Sequence, residues 1–271
     1  MKRAYADIPE GQIHYRTGGS GEPILLLHMA GGCSDEYTRV IPFLSKRYRV
    51  VAPDFLGYGE SDPAPYEYQI ADHARTVVSF MDSLGIEKAS IGGHHGGAQI
   101  AVEIAVTWPH RVDKLVLSSL PYWREAEKAK AMFKDPFFSR VEIKPDGSHL
   151  MEWWKRADLS AYRGPHATDT PLEIVEERAL QLHKAGPRGE ELHWASFNYG
   201  PEHKKKLPLI KCPTLVLSAT RDRFCPMVEE IKKLIPRSRV TIIENGTVWV
   251  ASVMPKEFAE AILKFLENPG I

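Results

Sequence analysis

The sequence predicts a doubly wound α/β fold with a mostly parallel sheet, on three observations. Short apolar runs recur along the chain, amphipathic segments of helical period lie between them, and Gly, Pro or charge bounds the runs. Strands that alternate with helices bury both faces of a parallel sheet. In order, residues 24–27 (Ile-Leu-Leu-Leu), 48–52, 114–118, 214–218 and 239–243 read as buried strands, and the segment before Gly92-Gly93 reads as another. Residues 71–84, 97–107, 226–235 and 255–267 read as helices, the second ending before Trp108-Pro109. Ligands of such sheets bind beyond the carboxyl ends of the strands, so the loops after these runs are where chemistry is expected.

The alternation stops after Leu120-Pro121 and resumes near Lys211-Cys212-Pro213. Residues 122–205 are helical in pattern and rich in aromatics, among them Trp123, Trp153, Trp154 and Trp194. An excursion of that size leaving the carboxyl end of a strand is expected to cover the binding edge. The expected organisation is a core of residues 1–121 and 206–271 with a helical lid, 122–205, inserted after the sixth strand.

Composition narrows the function classes. A chain of 271 residues with 43% hydrophobic and 26% charged residues matches ordinary globular proteins. Its 35 basic and 35 acidic residues cancel, so no summed positive field favours nucleic acid or an anionic membrane, and the expected partner is a small molecule. Oligomeric state is not readable. Cys33, Cys212 and Cys225 are too few and too scattered for a disulfide framework or a zinc site. No apolar run follows the basic start, and none reaches 18 residues, so the expected location is the cytoplasm.

The chemistry concentrates in Ser90-Ile91-Gly92-Gly93-His94-His95-Gly96-Gly97-Ala98, which has the small-residue spacing of a strained strand-to-helix turn that lifts its central side chain into a site. Here the chain resembles the α/β-hydrolase superfamily. Leu27-His28-Met29-Ala30-Gly31-Gly32 is similar to that family's oxyanion loop, Ala52 to Asp62 to the loop after its next strand, and Pro213-Thr214-Leu215-Val216-Leu217 followed by Asp222 to the segment carrying its acid. The matches occur in the family's order and imply its fold.

The same resemblance implies two departures. Aligning Gly92, Gly96 and Gly97 puts His94 where the family has its nucleophilic serine, while the register Gly93-x-His95-x-Gly97 puts His95 there; either gives a histidine. The family's general base follows the last strand, and counting back from Pro255 places Val248 at that position. Of the triad only Asp222 remains. An imidazole reaches farther than a seryl hydroxyl, so His94 is expected to turn toward Asp222 across the volume that Val248 leaves, forming a dyad that acts as a base without a cofactor or metal. The backbone N–H groups of Ala30 and His95 are the expected oxyanion hole. His28, Trp123, Trp153, Trp154, Trp194, Val248 and Trp249 are the expected substrate contacts. The implied activity is hydrolysis of an ester, lactone or activated C–C bond in a small apolar or aromatic substrate; a silent ligand-binding protein, or a cofactor-free lyase, isomerase or oxygenase, stays open. Cys33 and Cys225 border the site, and as half-buried thiols without basic neighbours they read as packing residues.

Overall fold

The computed structural model describes residues 1–123, 125–158 and 170–270. Eight strands form one sheet: β1 (Lys2–Ile8), β2 (Gly11–Gly18), β3 (Pro23–Leu27), β4 (Arg49–Pro53), β5 (Ala89–His94), β6 (Val112–Ser118), β7 (Thr214–Ala219) and β8 (Ser238–Ile243), in the order β1-β2-β4-β3-β5-β6-β7-β8. The six strands expected from the apolar runs, β3 to β8, pair parallel. β1 and β2 form an antiparallel hairpin that joins β4, also antiparallel. Only Ala6 and Ile8 of β1 are buried, so the hairpin alternates as a half-exposed edge does and lacks the continuous apolar signal of its neighbours.

The sheet separates two apolar layers. On one face the helices Ile70–Ser83 and Gly96–Thr107 bury Val77, Phe80, Met81, Ile100 and Ile104. On the other, Pro255–Glu267 starts on a proline, whose missing N–H costs nothing at a helix start, and turns Phe258, Ile262, Phe265 and Leu266 inward at helical spacing. Between β6 and β7 the described residues form helices, among them His149–Asp158, Leu172–Ala185 and Glu191–Tyr199. Part of the expected insertion, 159–169, falls outside the described residues. No helix among the described residues is long and apolar enough to cross a membrane.

Candidate active site

The strand-to-helix turn is built as expected, with its centre one residue later than the preferred register. His94 is the last residue of β5, and His95 stands at φ 47°, ψ −116°, before the helix Gly96–Thr107. The doubled glycines hid this from spacing alone. A Cβ on Gly93 would fall 2.2 Å from the Gly97 carbonyl oxygen, and one on Gly97 would fall 2.1 Å from that of Leu27, whereas Gly92 and Gly96 meet nothing closer than 3.2 Å. The obligatory glycines are therefore 93 and 97, and they flank His95.

The expected His94–Asp222 pair is corrected accordingly. His95 Nε2 donates to Asp222 Oδ2 at 2.8 Å, and Asp222 Oδ1 also accepts from the Phe224 amide. With Nε2–H held by the carboxylate, the lone pair of a neutral His95 ring sits on Nδ1. His94 is engaged elsewhere: its Nε2–H donates to the Val248 carbonyl and its Nδ1 accepts from Ser118 Oγ, at 2.9 and 2.8 Å. The ring ties β5 to β6 and to the loop after β8. His94 reaches the Val248 backbone rather than Asp222.

The expected oxyanion pair changes by the same step. The His95 amide donates to the Ser118 carbonyl at 3.0 Å, so it is unavailable. A side chain on Gly96 would begin 3.6 Å from the Ala30 amide nitrogen, so the Ala30 and Gly96 amides are neighbours, and neither has an acceptor among the described residues. Gly96 also opens a twelve-residue helix whose dipole adds positive potential there.

These groups form the floor of a cavity of about 60 Å³, several times what one water needs. Met29 and Ala30 after β3, His95 and Gly96 after β5, Pro121 after β6, Phe224 after β7 and Trp249 after β8 all contribute, so the carboxyl-end rule holds strand by strand. Of the seven expected contacts, Trp123 and Trp249 are in the wall. His28 is not. Its Nδ1–H donates to the Met29 carbonyl, its Nε2 accepts from the Phe55 amide, and burial pulls its pKa down to about 4 against the pull of Asp54, so it is a neutral brace of the loop. Trp153 packs with Val141, Val175 and Leu182 inside the helical insertion, and Trp154 lies at its surface. Trp194 gives its indole N–H to the Phe138 carbonyl, beneath Arg140. Val248 packs with Met29, Ile174 and Trp249 beside the cavity. Number of aromatics marked the insertion as apolar, but not which face each ring would take.

The sequence reading missed the charged part of the wall: Arg178, Arg223, Arg156, Glu190 and His193. Arg178 is wholly buried and lies over the Trp249 ring at 4.9 Å. It donates to Gln181 Oε1 and the Ala30 carbonyl, its Nε has no partner, and no carboxylate stands within ion-pair distance among the described residues. The nearby Glu36 accepts from the Met29 amide, and burial pushes its pKa up to about 7. Glu190 is paired with both Arg156 and His193. Among the described residues no group of three His, Cys, Asp or Glu side chains is placed to hold a metal ion.

Comparison with known proteins agrees with the geometry. The model of the alpha/beta hydrolase fold family matches residues 22–250. The chain belongs to the α/β-hydrolase fold family. It is 36% identical, over 284 aligned positions, to a 2-hydroxy-6-oxo-6-phenylhexa-2,4-dienoate hydrolase of Comamonas testosteroni, covering 97% of this chain and 93% of that protein. To haloalkane dehalogenase 2 of Mycobacterium tuberculosis it is 40% identical over 188 residues, 68% of this chain and 63% of the relative, so the match spans just under two thirds of the dehalogenase. Among solved structures, a thermophilic esterase of Thermogutta terrifontis superposes with a TM-score of 0.80 at 22% identity over 100% of both chains. The enol-lactonase of Burkholderia xenovorans gives 0.74 at 20%, over 98% of this chain and 100% of that one. At those identities the structural likeness speaks to the fold. The α/β-hydrolase frame is thus present with His95 at the elbow.

Proposed function

We propose that this α/β-hydrolase-fold chain hydrolyses an ester, lactone or activated C–C bond in a small apolar or aromatic substrate, with His95 and Asp222 acting together as a base on water. The observation that carries the reading is the hydrogen bond from His95 to Asp222 at the floor of a cavity that also holds two adjacent amides without an acceptor among the described residues. Asp222 fixes the ring so that Nδ1 is the basic nitrogen. Nδ1 takes a proton from water, the hydroxide oxygen bonds to the substrate carbonyl carbon, and the Ala30 and Gly96 amides receive the oxyanion. Direct attack by His95 is a poorer fit, because a second base is needed to release an acyl-imidazole and Val248 occupies the family's place for it.

The wall supports a more specific substrate. Trp123, Phe137, Phe138, Phe197, Phe224 and Trp249 offer apolar surface, and Arg178, a buried cation without an ion-pair partner among the described residues, is suited to a carboxylate. The relative in Comamonas testosteroni is named for a substrate with a phenyl group at one end of its carbon chain and a carboxylate at the other. The insertion, residues 122–205, acts as a lid on the core of residues 1–121 and 206–271. The steps need no cofactor, and the substrate is a small molecule in an aqueous compartment.

The test is turnover of 2-hydroxy-6-oxo-6-phenylhexa-2,4-dienoate, aryl benzoates and aryl lactones by the wild type, His95→Ala and Asp222→Asn. Both variants are expected to lose at least about 100-fold in kcat/KM, the ordinary contribution of a positioned base. Equal rates in all three, with undiminished ligand binding, would replace this reading with that of a ligand-binding protein. Val248 is the residue that favours that second reading.

A further inference from the structure

The cavity also presents a second histidine–carboxylate pair, carried by the helical insertion that forms its roof. His193 and Glu190 both line the wall, one turn apart at the start of the helix Glu191–Tyr199. His193 Nδ1–H donates to Glu190 Oε2 at 2.8 Å, and Glu190 Oε1 accepts from Arg156 Nη1, also at 2.8 Å. Arg156 is itself held by the Ser139 carbonyl. Burial alone would push the Glu190 carboxyl up, but His193 and Arg156 outweigh it and hold the carboxyl below its ordinary range. Glu190 therefore stays ionised and fixes the His193 ring, whose Nε2 has no partner among the described residues. The ring lies against Phe138 and Phe197, two residues of the same wall.

An exposed ion pair would leave the ring mobile and screened. Here the carboxylate is buried, and the ring's one uncommitted nitrogen belongs to a residue of the cavity that contains His95. We propose that His193, oriented by Glu190, is the proton donor to the leaving group, so that the proton transfers which one histidine performs in the family's triad are divided here between the floor and the roof. The inference rests on the water-activation reading of His95. In the balanced step, water gives its proton to His95 Nδ1 and its oxygen to the acyl carbon. The bond to the leaving group breaks with its electron pair on the leaving atom, and the Nε2 proton of a protonated His193 completes that atom's valence. Acid and protonated leaving group depart, and the proton on His95 returns to His193 through solvent. Glu191 is engaged by Arg140 and Arg188, and Glu190 is the carboxylate that binds the ring.

Leaving-group dependence separates a proton donor from a structural residue. A p-nitrophenoxide departs without help, whereas a p-methoxyphenoxide needs a proton. With the p-nitrophenyl and p-methoxyphenyl esters of benzoic acid as probes, His193→Gln is expected to lower kcat/KM about 100-fold on the p-methoxyphenyl ester and less than about fivefold on the p-nitrophenyl ester. Glu190→Gln is expected to lower kcat/KM on the p-methoxyphenyl ester with the same selectivity over the p-nitrophenyl ester, because the ring loses the carboxylate that orients it. Equal losses on both esters, or no loss on either, would overturn the proposal. If wild type turns over neither ester, the water-activation reading of His95 fails and takes with it the donor role that rests on it, whereas equal losses with wild-type turnover intact overturn the donor role alone.

Discussion

The floor and the roof of the cavity each carry a histidine bound to a carboxylate, yet they are held by different forces. His95 is set by backbone: a positive φ, two glycines with no room for a Cβ, and the sheet beneath. His193 is set by side chains, through a chain of charge-assisted bonds from Glu190 to Arg156. The first kind of support is all-or-none, and the second can be loosened by degrees. A site with a rigid floor and an adjustable roof can keep the reacting groups in place while admitting a ligand.

The largest effect is expected from breaking the floor. Gly97→Ala would drive a Cβ against two backbone carbonyls, those of Leu27 and His28, and is expected to cost at least about 4 kcal/mol or to abolish soluble expression, read by urea denaturation. At the roof, Arg156→Met leaves Glu190 buried with only His193. It is expected to cost about 3 kcal/mol, with hydrogen-exchange protection falling in residues 191–199 and unchanged in 89–94. A stability change shared equally by both segments would mean that floor and roof are one cooperative unit.

Acid should sharpen the contrast next. Burial lowers His28, His73 and His203 to about 4, 3 and 3. Each binds a proton more readily in the unfolded chain, so the stability each gives is present above its unfolded pKa of about 6.5 and is lost as pH falls toward its folded value. Glu36, raised to about 7, has the opposite sign: its contribution is complete below about 4.5 and is lost as pH rises through 7. Three groups against one predict falling stability between pH 6.5 and 4. His203, whose two ring nitrogens lack hydrogen-bond partners among the described residues, is the group to remove. His203→Leu is expected to gain about 3 kcal/mol more over wild type at pH 4 than at pH 7; a pH-independent difference would show that the ring titrates normally. The smallest effect belongs to Gly186, at φ 63° with open space around it, where alanine meets backbone strain alone and should cost about 1 kcal/mol in thermal unfolding.

The same contrast explains what was legible in the sequence. β3 to β8 announce themselves as continuous apolar runs because both faces are covered, and the elbow announces itself because a strained turn restricts residue type. The register stayed open because Gly92-Gly93 and Gly96-Gly97 satisfy the spacing twice, and only the clash of a Cβ with the neighbouring backbone distinguishes them. His94 and His95 look alike as letters, and their roles separate through Ser118, Val248 and Asp222, which lie far off in the chain. The roof was least legible. A Glu190-x-x-His193 spacing is common on solvated helices, and nothing local says that Arg156 will close over it.

The backbone of His95 also bears on how the elbow answers substitution. An L-residue held at φ 47° and ψ −116° stores about 1–3 kcal/mol of strain, and glycine would release much of it. Glycine would also leave the buried Asp222 carboxylate without its His95 bond, a loss of the kind that costs about 3–5 kcal/mol. The replacement His95→Gly is therefore expected to lower stability by about 2 kcal/mol, because the bond outweighs the relief. The ring thus anchors a turn that its own backbone resists.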